Sequence, residues 1–510
     1  MVRRVRSGKV KGGHTFFWGR LNIPRKGRIR AIITILFLAV AVKLMSHRQT
    51  AEGHVPVKAQ PAAVADRPAT LKKNTRSFFR LPFFSHADNL QSAVVKTYGL
   101  SHANIVDLLK AHAPVFQLCR DTIVRDKKRY VVYYSIDTAL QKCGETLLKR
   151  YHPKYGAFIV MEPGTGRVRS LVSYTREGED SLGENLYCKS IFPAASVFKT
   201  VTAAAAVEKA HVSPDSTFSL AGRRYTLYKF QLAPELASCQ DITLADAYCQ
   251  SVNPVFGRIG LYVVGKAGLT EYMRKFGFNC AIPFDLDNEK PTSDENMKDS
   301  LLIIAEAASG FNTVTRISPL FGALIASSIA ENGVMPVPTL VDSVYGDSCI
   351  VYRAAPMTWR TPIKENTASA LKEMMSRVVQ KGTARHSFHY ARNSTCFNDV
   401  EYGGKTGSVD EDTLGKIDWF IGFARHKSDP KQRLAVGVVT VHDEYWTVHS
   451  SFIGEELFRT SLSRMRKAEK KGHRIAPEID SGVETANNSG ARPPPDSQDS
   501  PEESNDSPKP

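Results

Sequence analysis

The pattern of apolar and polar positions predicts two strands early in the main body of the chain and three late. Residues 157–161 and 168–173 are rich in strand-forming residues, and the segment between them has the proline and glycines of a hairpin. The late strands, separated by polar turns, are predicted at residues 401–409, 418–424 and 434–441. These five strands form a sheet only if distant parts of the chain meet.

Helical periodicity flanks and separates these strands. Asp137 can cap a helix that runs to Leu148, the Ala-rich segment 196–210 is a strong helix former, and a helix over residues 452–467 closes the segment. We therefore predict a mixed α/β fold, with a five-stranded antiparallel sheet flanked by helices and a helical subdomain between the early and late strands.

Charge is concentrated at the amino terminus. The 510-residue chain has a net charge of +17, and residues 1–30 hold ten Lys or Arg and no acid before the apolar run 31–45. This arrangement predicts an uncleaved signal anchor at residues 31–46, which crosses the membrane once and leaves the rest outside the cytoplasm. The run is short for a span, so a cleaved signal peptide is the alternative. Because an apolar segment abuts the basic leader, we expect it to contact membrane lipid and not nucleic acid.

Composition divides the remainder of the chain. Residues 47–80 have the composition of a linker, 81–133 form a small module, and 134–467 form the main domain. Beyond residue 475 the chain has eight acids, two bases and few apolar side chains, which predicts a disordered tail over 475–510.

Eight cysteines allow, but do not require, disulfides in an exported protein. Cys239 and Cys249 are the nearest pair and flank the approach to Ser251, so a bridge there would brace that loop. Isolated buried thiols are the equally open alternative. The cysteine spacing fits no zinc pattern, and His386 and His389 with Cys396 nearby are a weak signal, so we expect neither a metal nor a cofactor.

A serine and a lysine begin the Ala-rich helix. Ser196 follows a loop and should lie at the helix N-terminus, with Lys199 one turn later on the same side. A serine hydroxyl is a poor nucleophile unless a nearby base accepts its proton. Lys199 can act as that base if burial or a neighbouring cation lowers its pKa, and Lys405 is the candidate cation.

Two further short segments complete the candidate chemistry. Ser251 follows a stretch of helical character and is predicted to lie in a loop, because Pro254 disfavours a helical Asn253. There Ser251 would face a leaving nitrogen and Asn253 the substrate backbone. On the first late strand, Gly407 leaves room for a substrate to lie alongside, and Ser408 can hold a carboxylate. The N–H groups of Ser196 and Ser408 are candidates for an oxyanion hole.

These three motifs occur in the order S-x-x-K (Ser196 to Lys199), S-x-N (Ser251 to Asn253) and K-T-G-S (Lys405 to Ser408), and residues 134–467 resemble the transpeptidase domain of penicillin-binding proteins. Further matching runs are Ile136-Asp137 with Leu140-Gln141, Pro193 before the nucleophile, Ser318-Pro319-Leu320, Ala330-Glu331-Asn332-Gly333, Gly382-Thr383-Ala384-Arg385 and Trp419-Phe420-Ile421-Gly422.

The resemblance implies a membrane-anchored D,D-transpeptidase. Ser196 would form an acyl-enzyme with a peptidoglycan stem peptide ending in D-Ala-D-Ala, β-lactams would acylate the same serine, and an amine would resolve it. Ser196, Lys199, Ser251 and Lys405 would be catalytic, and Asn253, Thr406, Gly407 and Ser408 would bind substrate. The segment between the anchor and Asp137 is too short for a glycosyltransferase, which predicts a separate glycosyltransferase or cell-wall complex as partner.

The chain departs from the family pattern at two places. Ala194-Ala195 stands where the family usually has Pro-Gly, and Ser408 stands where a threonine is common. Two alternatives to the transpeptidase remain. The first is a D,D-carboxypeptidase or serine β-lactamase, in which water resolves the acyl-enzyme. The second is a non-catalytic cell-wall scaffold or sensor.

Overall fold

The computed structural model describes residues 99–110, 119–179, 182–347, 349–429 and 431–470. All of them belong to one of two compact units, residues 82–510. The predicted anchor, linker and acidic tail lie outside the described residues. In the part of the chain described, no helix is long and apolar enough to cross a bilayer.

The described elements alternate between strands and helices. The strands are β1 (Arg120–Arg125), β2 (Lys128–Tyr134), β3 (Tyr155–Met161), β4 (Val168–Thr175), β5 (Phe192–Pro193), β6 (Thr217–Leu220), β7 (Gln240–Thr243), β8 (Arg316–Ile317), β9 (Met335–Pro336), β10 (Val341–Tyr345), β11 (Ile350–Arg353), β12 (Thr358–Arg360), β13 (Val400–Glu411), β14 (Gly415–His426) and β15 (Arg433–His442). The α-helices are α1 (His102–Lys110), α2 (Thr138–Tyr151), α3 (Lys199–Ala210), α4 (Leu244–Cys249), α5 (Asn253–Arg258), α6 (Gly265–Phe276), α7 (Leu301–Ser309), α8 (Pro319–Ala330), α9 (Glu365–Gln380) and α10 (Ser450–Lys470). Short 3₁₀ turns include Ala195–Phe198 and Lys229–Leu232, and Ile259–Val264 is π-helical.

The central sheet has five antiparallel strands in the order β13-β14-β15-β3-β4, which confirms the prediction from the hydrophobic pattern. Its two halves meet where β15 pairs with β3, for example at Val438 and Phe158. The predicted late strands are each longer than expected by a few residues. Strand β13 has one sheet neighbour and therefore forms an edge.

Helices cover both faces of this sheet. Helix α8 packs against β14 and β15 and is buried along its whole length, as expected of a helix that is apolar on every side. It begins where the Ser318 hydroxyl accepts the Phe321 N–H and Pro319 occupies the first turn. Helices α2 and α10 pack together, and Asp137 caps α2 as expected by accepting the N–H groups of Ala139 and Leu140.

A second sheet joins the amino-terminal part of the described chain to its middle. Strands are ordered β1-β2-β10-β11, and Tyr134 of β2 pairs with Val341 of β10. The predicted module over residues 81–133 therefore contributes strands to a sheet shared with residues 341–353. One contiguous apolar core extends from Ile105 in α1 to Leu462 in α10.

Candidate active site

Ser196 lies in a tight turn directly before helix α3. Ala195 has a left-handed backbone, with φ +47°, and Ala195–Phe198 form a 3₁₀ turn that continues into α3. This turn brings Lys199 Nζ to 2.7 Å from Ser196 Oγ. The two residues are three positions apart, so local helical geometry alone places the amine beside the hydroxyl.

The amine of Lys199 is enclosed. Its side chain is fully buried, and Nζ also lies 2.7 Å from Asn253 Oδ1 and 2.6 Å from the Ser309 carbonyl oxygen. Burial and then the positive charge of Lys405 lower the pKa of Lys199 well below its ordinary value. An amine in this environment is a better proton acceptor at neutral pH than an exposed lysine.

Ser251 and Asn253 approach from the helical subdomain. Ser251 also has a left-handed backbone, with φ +58°, directly after α4. The sequence prediction that Asn253 is not helical was wrong, because Asn253 is the first residue of α5 and Pro254 follows it. A proline is accepted there because the first N–H groups of a helix have no partner within the helix. Asn253 is held through its N–H, which donates to the Arg224 carbonyl oxygen at 2.7 Å.

Lys405 links this loop to the edge strand. Its Nζ lies 3.0 Å from Ser251 Oγ and 2.7 Å from the Thr406 carbonyl oxygen. The side chain is fully buried beside the Tyr248 ring, at 5.6 Å from the ring centre. Burial lowers the pKa of Lys405 to about 7. The two predicted lysines thus lie in one enclosed region with the two predicted serines.

The remaining predicted residues lie along β13. A Cβ added to Gly407 would meet the backbone nitrogens of Val197 and Ser196 at 3.1 and 3.2 Å, so this strand passes directly beside the turn that carries Ser196. The Thr406 hydroxyl lies 2.6 Å from that of Thr383. Ser408 is exposed on the same strand. Because β13 is an edge of the sheet, its outer side can pair with an extended peptide.

Three contributors to this geometry were not assigned a role from the sequence. Ser309 acts through its carbonyl oxygen, which any residue carries, and Gly310 acts by leaving space, since a Cβ there would lie 1.9 Å from the Ala195 carbonyl oxygen. Thr383 belongs to the Gly382–Arg385 run that matched the family pattern, which was the available signal for it.

The cysteines and histidines do not extend the site. All eight cysteines are described, and each is a free thiol. Cys249 is buried with Sγ 3.2 Å from the Arg377 carbonyl oxygen, whereas Cys239 is exposed, so the bridge considered between them is not formed. Among the described residues no group of three or more His, Cys, Asp or Glu side chains is placed to hold a metal.

Comparison with known proteins identifies the fold that carries this arrangement. A family model described as the penicillin binding protein transpeptidase domain matches residues 156–462, more than half of the chain. The chain belongs to this family. It is accordingly a serine-type transpeptidase of the penicillin-binding protein class, as the motif order predicted.

The curated relatives of this penicillin-binding protein are distant. The peptidoglycan D,D-transpeptidase PbpA of Mycobacterium tuberculosis is 24% identical over 354 residues, covering 61% of this chain and 68% of the relative. Stage V sporulation protein D of Bacillus subtilis is 24% identical over 314 residues, covering 57% of this chain and 46% of the relative.

Solved structures support the same fold. The D,D-transpeptidase domain of a peptidoglycan glycosyltransferase from Eggerthella lenta superimposes with a TM-score of 0.54 at 24% identity, over 66% of this chain and 83% of that one. The imipenem acyl-enzyme complex of penicillin-binding protein A from M. tuberculosis superimposes with a TM-score of 0.52 at 22% identity, over 65% and 79%. At this level of identity these similarities establish the fold alone.

Proposed function

We propose that this penicillin-binding protein is a peptidoglycan D,D-transpeptidase that forms an acyl-enzyme at Ser196 with stem peptides ending in D-Ala-D-Ala. The observation that carries the proposal is the buried Lys199 amine, 2.7 Å from Ser196 Oγ. The PbpA relatives are named peptidoglycan D,D-transpeptidases, which agrees with the proposal. β-Lactams would acylate the same hydroxyl in place of the stem peptide.

Burial and the charge of Lys405 favour the neutral form of Lys199, and its hydrogen-bond partners can accommodate that form. A neutral amine has two N–H groups and one lone pair. The side-chain oxygen of Asn253 and the carbonyl oxygen of Ser309 accept only, so each takes one N–H. The lone pair is then left for the Ser196 hydroxyl, which donates its proton as the oxygen becomes a nucleophile.

Acylation follows from this arrangement. Ser196 Oγ bonds to the carbonyl carbon of the penultimate D-Ala while Lys199 accepts the hydroxyl proton. The N–H groups of Ser196 and Ser408 stabilise the resulting oxyanion. The C–N bond to the terminal D-Ala then breaks, and the leaving nitrogen receives a proton through the Ser251 hydroxyl, which hydrogen-bonds to Lys405. Lys405 thereby serves the proton transfer at the leaving group.

Deacylation follows the same steps in reverse order, with a different nucleophile. An amine of a second stem attacks the acyl carbon, loses a proton and releases Ser196, which recovers its own proton. Before acylation the stem lies beside β13, where Gly407 allows close approach and Thr406 and Ser408 offer hydroxyls to its terminal carboxylate. The side-chain amide of Asn253 contacts the stem backbone.

We further propose the location and partners of the protein. The basic leader and the apolar run that follows it support a single-pass anchor in the bacterial cytoplasmic membrane, with the catalytic domain outside the cytoplasm and lipid around the anchor. A separate glycosyltransferase or cell-wall complex would supply the glycan strands. Neither a cofactor nor a nucleic acid takes part.

The test is covalent labelling of the full-length protein by a fluorescent penicillin, followed by peptide mapping of the adduct. The adduct should map to Ser196, and Ser196→Ala should abolish it. The matched control is Ser300→Ala, a serine before α7 whose side chain caps nothing, and it should label normally. An adduct elsewhere, or a labelled Ser196→Ala variant, would refute the proposal.

The role of Lys199 is tested in the same assay. Lys199→Ala should abolish labelling while the circular dichroism spectrum keeps its folded shape, because among the described residues no other base is hydrogen-bonded to the Ser196 hydroxyl.

A second assay distinguishes transpeptidation from hydrolysis by supplying a D-amino acid acceptor together with a D-Ala-D-Ala peptide. A product in which the D-amino acid replaces the terminal D-Ala supports the proposal, whereas release of free acid alone identifies a carboxypeptidase. Rapid turnover of a chromogenic β-lactam identifies a β-lactamase.

A further inference from the structure

A basic and aromatic loop borders the site and has no role in the chemistry described above. Within residues 223–230 the exposed side chains comprise three cations and three aromatic rings, and the segment contains no acid. These six residues, which we call the basic–aromatic loop, are Arg223, Arg224, Tyr225, Tyr228, Lys229 and Phe230.

The loop is attached directly to the catalytic cluster. The Asn253 N–H donates to the Arg224 carbonyl oxygen, and Asn253 Nδ2 donates to the Tyr225 carbonyl oxygen at 3.1 Å. The other end of the same amide accepts from Lys199, which contacts Ser196. Three consecutive hydrogen bonds therefore connect the nucleophile to the backbone of this loop.

Buried residues hold the loop in one conformation. Gln231 is fully buried, its side-chain oxygen accepts the Tyr228 N–H, and its amide donates to the carbonyl oxygens of Ala221 and Arg223. Leu227 packs with Leu232 in a small apolar cluster beneath the loop. A loop fixed in this way loses little conformational entropy when it binds a ligand.

The exposed side chains of the loop are unused inside the protein. Within the described residues none of its three cations forms an ion pair at 4.0 Å or less. The rings of Tyr228 and Phe230 stack on each other at 6.0 Å and are 57% and 59% exposed, and Tyr225 is 62% exposed. Aromatic rings and unpaired guanidinium groups on a rigid surface are typical of a binding site for an anionic ligand.

We propose that the basic–aromatic loop binds a carboxylate of the stem peptide upstream of its D-Ala-D-Ala end. This inference rests on the proposed function, because it concerns the substrate that acylates Ser196. Charge complementarity and the connection through Asn253 carry the assignment. Arg223 and Arg224 pair with the carboxylate, and the rings cover the apolar part of the peptide. The enzyme thereby distinguishes a stem with a free upstream acid from one in which that acid is an amide.

The test compares two synthetic D-Ala-D-Ala peptides that differ only in an upstream side chain, carboxylate in one and carboxamide in the other. With the full-length protein, kcat/KM should favour the acid by about five-fold, the effect of one exposed ion pair. The preference should appear in KM and should shrink as salt is added. In the Arg223→Gln, Arg224→Gln double variant the ratio of the two kcat/KM values should fall to about one.

Two further variants make the result specific. Replacement of both arginines by lysine keeps the charge and should retain most of the preference. Arg129→Gln removes an exposed arginine from β2, in the β1-β2-β10-β11 sheet, which does not include the loop. This variant should leave the ratio of the two kcat/KM values unchanged. The inference is wrong if the double glutamine variant distinguishes the two peptides as well as the wild type does. It is also wrong if the wild type does not distinguish them. If wild-type protein is not labelled by penicillin at all, the proposed function fails instead.

Discussion

At the residue scale, two buried lysines share the region between α3 and β13. The pKa of Lys199 is lowered first by burial and then by the charge of Lys405, and the pKa of Lys405 is lowered by burial to about 7. Two amines that compete in this way for protons titrate as a pair. The protonation state of Lys199, the proposed base, therefore depends on a residue far away in the sequence.

Removal of the second cation should change the pH dependence of acylation. In Lys405→Met the pKa of Lys199 rises, because one of the two causes that lower it is gone. Acylation requires the neutral amine and falls as the pH falls through this pKa. In a plot of the penicillin acylation rate against pH, the fall on the acid side (the acid limb) should therefore move to higher pH, whatever the change in the maximal rate.

The matched control for this pH profile is Lys381→Met. Lys381 follows α9, is 57% exposed and pairs with Asp246, so solvent screens its charge. Its replacement should leave the acid limb where it is in the wild type. An unmoved limb in Lys405→Met would show that the charge of Lys405 does not act on the base.

Ala195 is a second residue-scale case, because it has a left-handed backbone at the position where the family pattern usually has glycine. A Cβ at φ +47° costs about 1–2 kcal/mol relative to the right-handed region. Ala195→Gly should therefore raise the free energy of unfolding by about 1 kcal/mol, part of the gain being offset by the greater freedom of glycine in the unfolded chain. Urea unfolding measures the difference.

The neighbouring alanine provides the control for Ala195→Gly. Ala194 is equally buried but has φ −66°, a conformation that alanine adopts without strain. Ala194→Gly should lower the free energy of unfolding by about 0.5–1 kcal/mol. If both substitutions destabilise the protein alike, the backbone of Ala195 is not strained.

At the element scale, the end of α7 is fitted against the turn that carries Ser196. Ser309 closes α7 and gives its carbonyl oxygen to Lys199, and Gly310 follows with φ +68°. Only a residue without a Cβ fits, since the added atom would lie 1.9 Å from the Ala195 carbonyl oxygen. The helix end and the 3₁₀ turn thus position each other.

Gly310→Ala should therefore separate these two elements. We expect a loss in the free energy of unfolding of about 1–3 kcal/mol beyond the backbone penalty, together with slower acylation by penicillin. Gly178→Ala is the control, because Gly178 lies in an exposed turn with φ +84° and has nothing within 4 Å of an added Cβ. It should show the backbone penalty of about 1 kcal/mol alone. Equal losses in both variants would contradict the fit of α7 against the turn.

At the scale of the whole described unit, one ion pair joins parts of the chain that are far apart in sequence. His102 in α1 lies 2.7 Å from Asp285 through Nε2 and Oδ1. The other carboxylate oxygen accepts from Thr339 and from the N–H of Val341 at the start of β10. This buried carboxylate holds α1 and the second sheet against the body of the protein.

This pair should make stability depend on pH. Burial lowers the pKa of His102, but the hydrogen bond and charge of Asp285 outweigh burial and raise it. A pKa raised on folding adds stability that is complete below the unfolded value of about 6.5 and is lost as the pH rises through the folded value. The free energy of unfolding lost in His102→Gln should be largest in acid and shrink with rising pH.

The exposed His386 gives the control for that measurement. His386→Gln should change the free energy of unfolding by less than about 0.5 kcal/mol at every pH. A loss in His102→Gln that stays constant across the titration would mean that the contact with Asp285 does not depend on the charge of the imidazole.

The sequence by itself determined the main elements and predicted which side chains take part in the chemistry. The periodicity of apolar residues predicted the five strands and the helices α2 and α10, because burial of one face requires a regular spacing. The spacing of Ser196 and Lys199 within one helical turn also placed the amine beside the hydroxyl, since this contact is local.

Only the tertiary structure decided which distant groups surround them. The carbonyl oxygens of Ser309, Arg224 and Tyr225 hold Lys199 and Asn253, and main-chain groups leave no trace in the side-chain sequence. The lowered pKa of Lys199 likewise depends on burial and on a cation from β13. These features arise when segments separated along the chain pack together, and local propensity contains no information about that packing.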